Sequence, residues 1–179
     1  MISSLQLTRR VKTMSKYVIA VYVDNKPGVL TRVSSMFTRR AFNIDTLTVG
    51  EIENPAYSRI TISLSGDEYA KKQIVAQLHK LHNVQKVKVL SDESAMKREL
   101  MIIKMKNNPH NRAEIMAAAE VYKGKIIDYS VSTISVEVTG EPVKIDAFIE
   151  LMKPLGILEM CRTGIVAIER GAETMFSQE

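Results

Sequence analysis

The sequence has little of several chemically informative residue types: of its 179 residues, one is cysteine, three are histidine and none is tryptophan. The single cysteine, Cys161, excludes an intrachain disulfide framework and is typical of proteins in a reducing cytoplasm. The histidines have no ligand spacing with one another, with Cys161 or with a carboxylate cluster, so no zinc site is predicted. Because no apolar run approaches the roughly 20 residues of a membrane span, we expect a soluble, cytoplasmic protein.

Motifs that carry catalysis or bind phosphate are also missing. The sequence contains no G-x-x-x-x-G-K-[ST] loop, no G-x-G-x-x-G after a strand and no G-x-S-x-G elbow. The acidic pairs at residues 67–68 and 92–93 lie at a predicted helix start and in a predicted linker, where carboxylates are usually solvated or complement a helix dipole. We therefore expect no catalytic residue, no metal ligand and no cofactor in this chain.

The net charge of +5 is weak support for a nucleic-acid partner. Arg9, Arg10 and Lys12 supply three of the five charges from a leader without acidic residues, which leaves +2 from Met14 onward. A balance this small predicts no polyanion partner. The leader, residues 1–15, lacks the apolar core and the cleavage site of a secretory signal. We interpret it as a disordered tail or as the product of a start codon upstream of Met14, with a targeting role as the alternative.

The chain contains an internal repeat. An alternating strand pattern, a glycine, an acidic residue and a helical pattern occur at residues 60–81 and again at residues 134–155, at a constant offset of 74. The preceding halves correspond at offsets of 82 and 83, and the offset changes within the loop at residues 50–58, where a hairpin connection tolerates insertion. The matched positions are Ile60, Gly66 and Leu81 with Ile134, Gly140 and Leu155, and Pro27, Ile44 and Asp45 with Pro109, Ile127 and Asp128. The repeat predicts two units of one fold.

Each copy predicts the element order β-α-β-β-α-β, which is the ferredoxin-like plan. The fold class is therefore α+β, with two tandem βαββαβ units. The first copy predicts a strand at 16–24, a helix from Val29, a hairpin around Asn54-Pro55, a helix at 67–81 and a strand at 83–91. The second predicts a strand from residue 100, a helix at 112–122, strands at 125–129 and 133–140, a helix at 143–152 and an extended segment at 157–168.

The predicted division of the chain follows from these elements. The first unit spans residues 16–90, a polar linker spans 91–98, the second unit spans 99–171 and a tail spans 172–179. Two helices cover one face of each sheet and leave the other face and the edges to bind a ligand or to meet another sheet. We expect units this small to pair with each other and with other chains.

The turn between the first strand and the first helix is the candidate binding feature. Gly28 lies at the start of the helix, so free backbone N–H groups and the positive end of the helix dipole suit a carboxylate. Asn25 and Asn43 offer both donors and acceptors, which a zwitterion needs. Val29, Leu30 and Ile44 could supply an apolar wall for a short aliphatic side chain. The residues alone leave open a well-made turn and helix start with no ligand.

The segments DNKPGVLTRVSSMFTRRAFNIDTLTVG, SRITISLSGDE and QIVAQLHKLHNVQKV resemble the small, regulatory subunit of acetolactate synthase (acetohydroxyacid synthase). The likeness continues through RELMIIKM, GKIIDYS and VEVTGEPVKIDAFIELMKPLGILEMCRTGIVAIERG, and so covers nearly all of residues 14–171. The first copy, residues 16–90, resembles the ACT domain of that family.

The resemblance implies a non-catalytic subunit that binds and activates the thiamine-diphosphate-dependent catalytic subunit and confers feedback inhibition by valine in branched-chain amino acid biosynthesis. Thiamine diphosphate, magnesium and FAD then belong to the catalytic partner. It also implies a homodimer formed through ACT domains, with a branched-chain amino acid bound between them. Thr48 is a weaker candidate for transmitting the effect. The implied site combines Asn25, Gly28, Val29 and Leu30 of one protomer with Asn43 and Ile44 of its neighbour.

Two departures from the family pattern limit these expectations. Ala41 stands where many members have glycine, which could shift the end of the first helix. The second copy has His110 in place of Gly28 and lacks a matching asparagine pair, so we expect no second amino-acid site there, and a role in dimer and catalytic-subunit contact instead. The alternatives are a free-standing ACT-domain sensor that regulates another enzyme or a transcription factor, and an enzyme on the ferredoxin-like superfold. The absence of a helix-turn-helix segment argues against a DNA-binding version.

Overall fold

The computed structural model describes residues 15–177, which form two α+β units joined by a short connection. Each unit is an antiparallel sheet with its helices on one face, and the strand order is equivalent in both units. The prediction of two tandem ferredoxin-like units is therefore confirmed. The predicted leader lies outside the described residues except for Ser15, which begins the first strand. Within residues 15–177, no helix is both long and apolar enough to cross a membrane.

The first unit follows the predicted order of elements. They are β1 (Ser15–Asp24), α1 (Val29–Arg39), β2 (Thr46–Glu51), β3 (Tyr57–Gly66), α2 (Glu68–Leu78) and β4 (Val84–Leu90). The sheet has the order β2-β3-β1-β4, so β2 and β4 are its edges. The helix α2 ends at Leu78, three residues before the predicted end, because the chain tightens there into turns such as the bond from the Leu81 N–H to the Leu78 carbonyl, 3.1 Å.

The second unit repeats the plan and adds a strand. Its elements are β5 (Ala95–Lys106), α3 (Arg112–Val121), β6 (Lys125–Tyr129), β7 (Thr133–Gly140), α4 (Pro142–Met152), a 3-10 turn (Lys153–Leu155), β8 (Ile157–Arg162) and β9 (Val166–Glu169). Its sheet has the order β6-β7-β5-β8. The additional strand β9 pairs with the first four residues of β5, outside the four-stranded part.

A hydrophobic core lies between each sheet and its helices. In the first unit the apolar stripe that the sequence predicts for α1 is buried at Val29, Val33, Met36 and Phe37, which pack on alternate residues of β1 and β3. In the second unit Met101 and Ile103 of β5 contribute to the equivalent core under α3 and α4. The period-2 and helical patterns of the sequence therefore identify the faces that are buried.

The other face of the first sheet is covered by the second unit. A third group of apolar side chains, here called the inter-unit cluster, forms where β1 and β4 of the first unit meet β5, β9 and the C-terminal segment of the second unit. Its buried members are Val18, Ala20, Leu90, Ala95, Ala167 and Met175. Beside it, Phe176 packs edge-on against Tyr22 with the ring centroids 4.9 Å apart. The pairing of units that the sequence predicts thus occurs within one chain, on this face.

The structure corrects the predicted linker and the predicted last strand. Only residues 91–94 connect the two units, because β5 begins at Ala95, which is 5% exposed. The extended segment predicted at 157–168 is two strands, β8 and β9, separated at Gly164, where φ is +81°. Part of the predicted tail is packed, since Met175 is 7% exposed.

Candidate effector site

The turn that follows β1 leaves an open helix start. Gly28 precedes α1 with φ +82°, a conformation that favours glycine, and a side chain built there would meet nothing within 4 Å. The N–H groups of Gly28, Leu30 and Thr31 donate no hydrogen bond to any group of residues 15–177. The first turn of α1 contains no acidic residue. Free N–H groups and the helix dipole therefore face an unfilled space that suits an anion.

The carboxylate nearest to this turn along the chain is already engaged. Asp24 accepts hydrogen bonds from Asn83 (3.1 Å), Gln85 (2.7 Å) and Lys26 (3.2 Å). These bonds, with that from Asn83 the largest contributor, lower the pKa of the Asp24 carboxyl below its ordinary value. Its charge is compensated by donors of β4 and of the turn itself, which limits its repulsion of an anion at Gly28.

Asn25 has a structural role that the sequence did not reveal. Its Nδ2 donates to Glu51 Oε1 (2.9 Å) and to the Pro55 carbonyl (3.0 Å), while its backbone N–H donates to the Ala56 carbonyl (2.8 Å). Both amide hydrogens thus tie the end of β1 to the β2–β3 hairpin. The Oδ1 of Asn25 has no hydrogen bond within residues 15–177. This oxygen can therefore accept a hydrogen bond from a ligand.

The predicted apolar residues divide into core and surface. Val29 is 5% exposed and belongs to the core of the first unit, so it positions the helix and does not line the open space. Leu30 is 44% exposed at the helix start. Ile44 is half-buried and packs against the same core. Leu30 is therefore the apolar side chain that a ligand in front of α1 can reach.

Asn43 and Ile44 lie at the opposite end of the sheet from Gly28. They precede β2. Its first residue, Thr46, pairs with Ser63 of β3, which in turn pairs with Val18 of β1. The last residue of β2, Glu51, is level with Val23, next to the turn. Five residues of strand separate these levels, about 17 Å at roughly 3.4 Å per residue. Asn43 itself donates to Asp45 Oδ1 at 3.2 Å. A single chain thus does not bring the two predicted halves of the site together.

At the corresponding helix start in the second unit, a side chain caps the N–H groups just before the helix. The N–H groups of His110 and Asn111 both donate to Asn108 Oδ1, at 2.9 and 3.1 Å. Asn111 is 7% exposed, and its Nδ2 donates to the carbonyls of Lys106 (2.7 Å) and Leu155 (2.8 Å). The Asn108 side chain therefore caps the N–H groups just before α3, where the corresponding N–H of Gly28 is open, while the N–H groups of Ala113 and Glu114 in the first turn of α3 donate no hydrogen bond within residues 15–177, as in α1.

Asn107 reproduces the structural role of Asn25. Its Nδ2 donates to the Ser130 carbonyl (2.6 Å) in the β6–β7 turn, and its N–H donates to the Ser132 carbonyl (2.8 Å). The offset of 82 between these asparagines, which also relates Pro27 to Pro109, could have identified the pair. An asparagine at this position therefore ties the first strand to the hairpin in both units, and is not by itself a sign of a ligand.

Sequence reasoning missed a cleft between the two units. Its volume is about 790 Å³, and it is bordered by β1 and β2 on one side and by α4 and the β8–β9 connection on the other. At its wall, Glu99 is 1% exposed and accepts two hydrogen bonds from Arg162, each 2.7 Å. Arg162 also donates to Asp146 of α4 at 2.8 Å. The bonds to Glu99 raise the pKa of the Arg162 guanidinium above its ordinary value, so Arg162 is cationic at physiological pH.

Family models match both units of the chain. One described as the AHAS small subunit-like ACT domain matches residues 19–86, and one described as the small subunit of acetolactate synthase matches residues 98–171. The two matches fall on the two structural units and leave residues 1–18, 87–97 and 172–179 unmatched.

Curated relatives and a solved structure resemble the chain over most of its length. A probable acetolactate synthase small subunit of Methanothermobacter thermautotrophicus is 45% identical over 160 residues, which is 89% of this chain and 95% of that protein. The acetolactate synthase small subunit of Mycolicibacterium smegmatis is 39% identical over 87% of this chain and 91% of that protein. The crystal structure of an acetolactate synthase small subunit from Thermotoga maritima has 38% identity and a TM-score of 0.82, and the match covers 89% of this chain and 99% of that one.

Proposed function

The chain belongs to the acetolactate synthase small-subunit family, and we propose that it is a non-catalytic regulatory subunit that activates the catalytic subunit and makes it sensitive to valine. Thiamine diphosphate, magnesium and FAD are then bound by the catalytic partner, where the condensation of 2-oxo acids takes place. The single cysteine supports a cytoplasmic location for the complex. The observation that carries the regulatory proposal is the open helix start at Gly28, set beside the start of α3, whose entry is capped by Asn108.

The proposed effector pose uses the groups that remain free at that helix start. The carboxylate of the amino acid accepts hydrogen bonds from the N–H groups of Gly28, Leu30 and Thr31. The ammonium group donates to Asn25 Oδ1, because the Nδ2 of the same side chain is engaged by Glu51 and Pro55. The aliphatic side chain of the effector packs against Leu30, which is 44% exposed.

The proposed site is completed by a second copy of the chain. Gly28 and Asn43 lie near opposite ends of the sheet of one unit, so no single chain can place both against a ligand as small as valine. The edge strand β2 has a neighbour on one side only within residues 15–177. A two-fold axis beside β2 would set the Gly28 end of one unit against the Asn43 end of the other, twice per dimer. Asn43 and Ile44 of the neighbour then close the pocket.

Regulation requires that the effector bind one arrangement of the complex more tightly than another. An amino acid placed between two units changes their relative orientation or rigidity, and the catalytic partner responds to that change. Coupling of this kind typically amounts to about 1–3 kcal/mol, or roughly 5- to 150-fold in apparent affinity.

The test is calorimetric titration of the chain with valine, leucine and isoleucine, followed by reconstitution with a catalytic subunit. Gly28→Asp places a carboxylate where the effector carboxylate binds, so we expect it to abolish valine binding and inhibition while activation persists. Gly28→Asn introduces a side chain of the same size as aspartate but without its charge, and asparagine tolerates a positive φ. We therefore expect this variant to bind valine more weakly, but detectably. His110→Asp, at the capped helix start, should bind valine like the unmodified chain. Unchanged valine binding by Gly28→Asp would refute the site, and failure to associate with a catalytic subunit would refute the function.

A further inference from the structure

The strand that follows the second half of the proposed site touches the second unit directly. Asn43 and Ile44 run into β2, on which Thr46 and Thr48 face away from the core of the first unit. Thr48 Oγ1 donates to the Thr163 carbonyl at 3.0 Å, and the Ile165 N–H donates to Thr46 Oγ1 at 3.5 Å. Both bonds end on residues 163–165, here called the Gly164 turn. Strand β2 therefore joins the proposed effector site to the second unit.

The contact is close because Gly164 has no side chain. With φ at +81°, its absent Cβ would lie 3.0 Å from Thr48 Oγ1 and 3.1 Å from Thr46 Cβ. The backbone of the Gly164 turn therefore lies packed against Thr46 and Thr48 of β2. Packed contacts transmit a displacement from one element to the other. A shift of β2 must therefore move the Gly164 turn or break its hydrogen bonds.

The Gly164 turn is tied firmly to the second unit on its other side. Thr163 and Leu100 exchange hydrogen bonds, from the Thr163 N–H to the Leu100 carbonyl (3.0 Å) and from the Leu100 N–H to Thr163 Oγ1 (3.1 Å). The preceding residue, Arg162, is held by the buried carboxylate of Glu99 and by Asp146 of α4. A displacement of the turn is thus delivered to β5 and α4.

Other contacts between the units start from different strands. Arg59 of β3 donates to the Ala167 carbonyl (2.5 Å), and Lys88 of β4 donates to the Thr174 carbonyl (3.0 Å). Burial lowers the pKa of the Arg59 guanidinium below its ordinary value. These contacts hold the units together but do not begin at the strand that Asn43 and Ile44 lead into.

We propose that the Gly164 turn is the coupling element through which occupancy of the effector site alters the second unit, with Thr48 as the residue that engages it. The inference rests on the proposed function and adds to it the route by which the signal leaves the first unit. Effector contact with Asn43 and Ile44 adjusts the start of β2, Thr46 and Thr48 carry the adjustment to the turn, and Arg162 carries it into the second unit. The catalytic subunit then responds to the arrangement of both units.

The test separates effector binding from inhibition in the holoenzyme reconstituted with full-length chains. Thr48→Val removes the hydroxyl donor and keeps the shape, and Gly164→Ala adds a methyl group at the contact. We expect both variants to bind valine within about twofold of the unmodified chain by calorimetry, and to need at least fivefold more valine for half-inhibition, the low end of typical allosteric coupling. Thr48→Ser restores the hydroxyl and should restore inhibition.

Gly171→Ala is the matched control for backbone strain. Gly171 also has a positive φ, +67°, but a side chain there would meet nothing within 4 Å. Normal inhibition of this variant, with reduced inhibition of Gly164→Ala, supports the coupling contact. Inhibition of Thr48→Val and Gly164→Ala at the same valine concentration as the unmodified chain overturns the inference, and so does loss of valine binding in these variants. If the unmodified chain binds no valine, the proposed function itself is refuted. This result comes from the unmodified chain alone and is therefore distinct from the results on the variants.

Discussion

The two units share one fold but differ in what they do with the same two features, the first helix start and the open face of the sheet. In the first unit the N–H of Gly28 has no partner within residues 15–177, while in the second the Asn108 side chain accepts hydrogen bonds from the N–H groups of His110 and Asn111. One side chain thus decides whether the N–H groups at the entry to the helix are capped or left open. The fold alone does not distinguish the two outcomes.

The two sheets also differ on the face opposite their helices, which is covered in the first unit and exposed in the second. On the first sheet, Val18 and Ala20 are buried beneath β9 and the C-terminal segment. On the second sheet, Ile102 pairs with Cys161 on the face opposite the core, where Ile102 is 40% exposed and Cys161 is exposed. The first unit, in which the N–H of Gly28 is open, thus has a covered sheet face. The second unit, in which Asn108 caps the helix start, has an exposed sheet face. The second unit thus covers the first sheet with β9 and the C-terminal segment, while the corresponding face of its own sheet stays exposed.

The largest expected effect tests whether the second unit depends on its buried ion pair. Glu99→Gln removes the charge that faces Arg162 and leaves that guanidinium with Asp146 alone, so we expect a loss of about 3 kcal/mol in the free energy of unfolding. The measurement is urea denaturation of the full chain. Glu141→Gln removes an exposed carboxylate 3.4 Å from Arg98 and should change stability by less than about 0.5 kcal/mol. Equal effects of the two substitutions would contradict the importance assigned to Glu99.

The second prediction compares the covered and the bare sheet faces. Met175→Ala removes a side chain that is 7% exposed in the inter-unit cluster and should destabilise the chain by about 2 kcal/mol, because it leaves a cavity over the first sheet. Ile102→Ala on the bare face should cost less than about 1 kcal/mol, since part of that side chain is already in water. Thermal or urea unfolding of both variants measures the difference. An equal loss would mean that the two faces are equivalent in solution.

The smallest expected effect concerns the ends of α1 and α3, where the two units behave alike. Ala41 and Lys123 both have φ +55°, and each occupies the left-handed position of a Schellman-type end. Glycine adopts this conformation without steric cost, so Ala41→Gly and Lys123→Gly should each stabilise the chain by about 1 kcal/mol.

Ala117→Gly provides the control of opposite sign for that pair. Ala117 is exposed in the interior of α3, where glycine is unfavourable by about 1 kcal/mol. A stabilising effect at the two helix ends and a destabilising one at Ala117, seen in the same urea series, would establish the strain. Destabilisation by Ala41→Gly would show instead that the family departure at this residue has no conformational cost.

Much of the fold could be predicted because its determinants are local. The alternation of β1, the apolar stripe of α1 and the internal offset of 74 indicate the elements and their order. Gly28 has a positive φ, while His110, which stands in its place in the second copy, donates its N–H to Asn108. The absence of an amino-acid site in the second copy stays a prediction. The valine site that combines Gly28 with Asn43 stays a prediction.

The rest depended on contacts between residues far apart in sequence. Nothing in the sequence around Asn25 indicates that its amide binds the hairpin at Pro55, 30 residues later. The pairing of β9 with the start of β5 joins residues about 70 positions apart, such as Met96 and Ile168, and the start of β5 belongs to the polar stretch that predicts a linker at residues 91–98. Local patterns report which face of an element is apolar, but not which distant element covers it.

The sequence by itself determined the two βαββαβ units, their family and the residue types at the first helix start, because periodicity, glycine and repeated motifs act over a few residues. The tertiary structure alone decided that the second unit covers the first sheet, that Glu99 and Arg162 pair inside it, and that Gly164 meets Thr46 and Thr48. These outcomes depend on how whole sheets pack, since a buried charge or a close backbone approach is stable only where the partner surface supplies its complement.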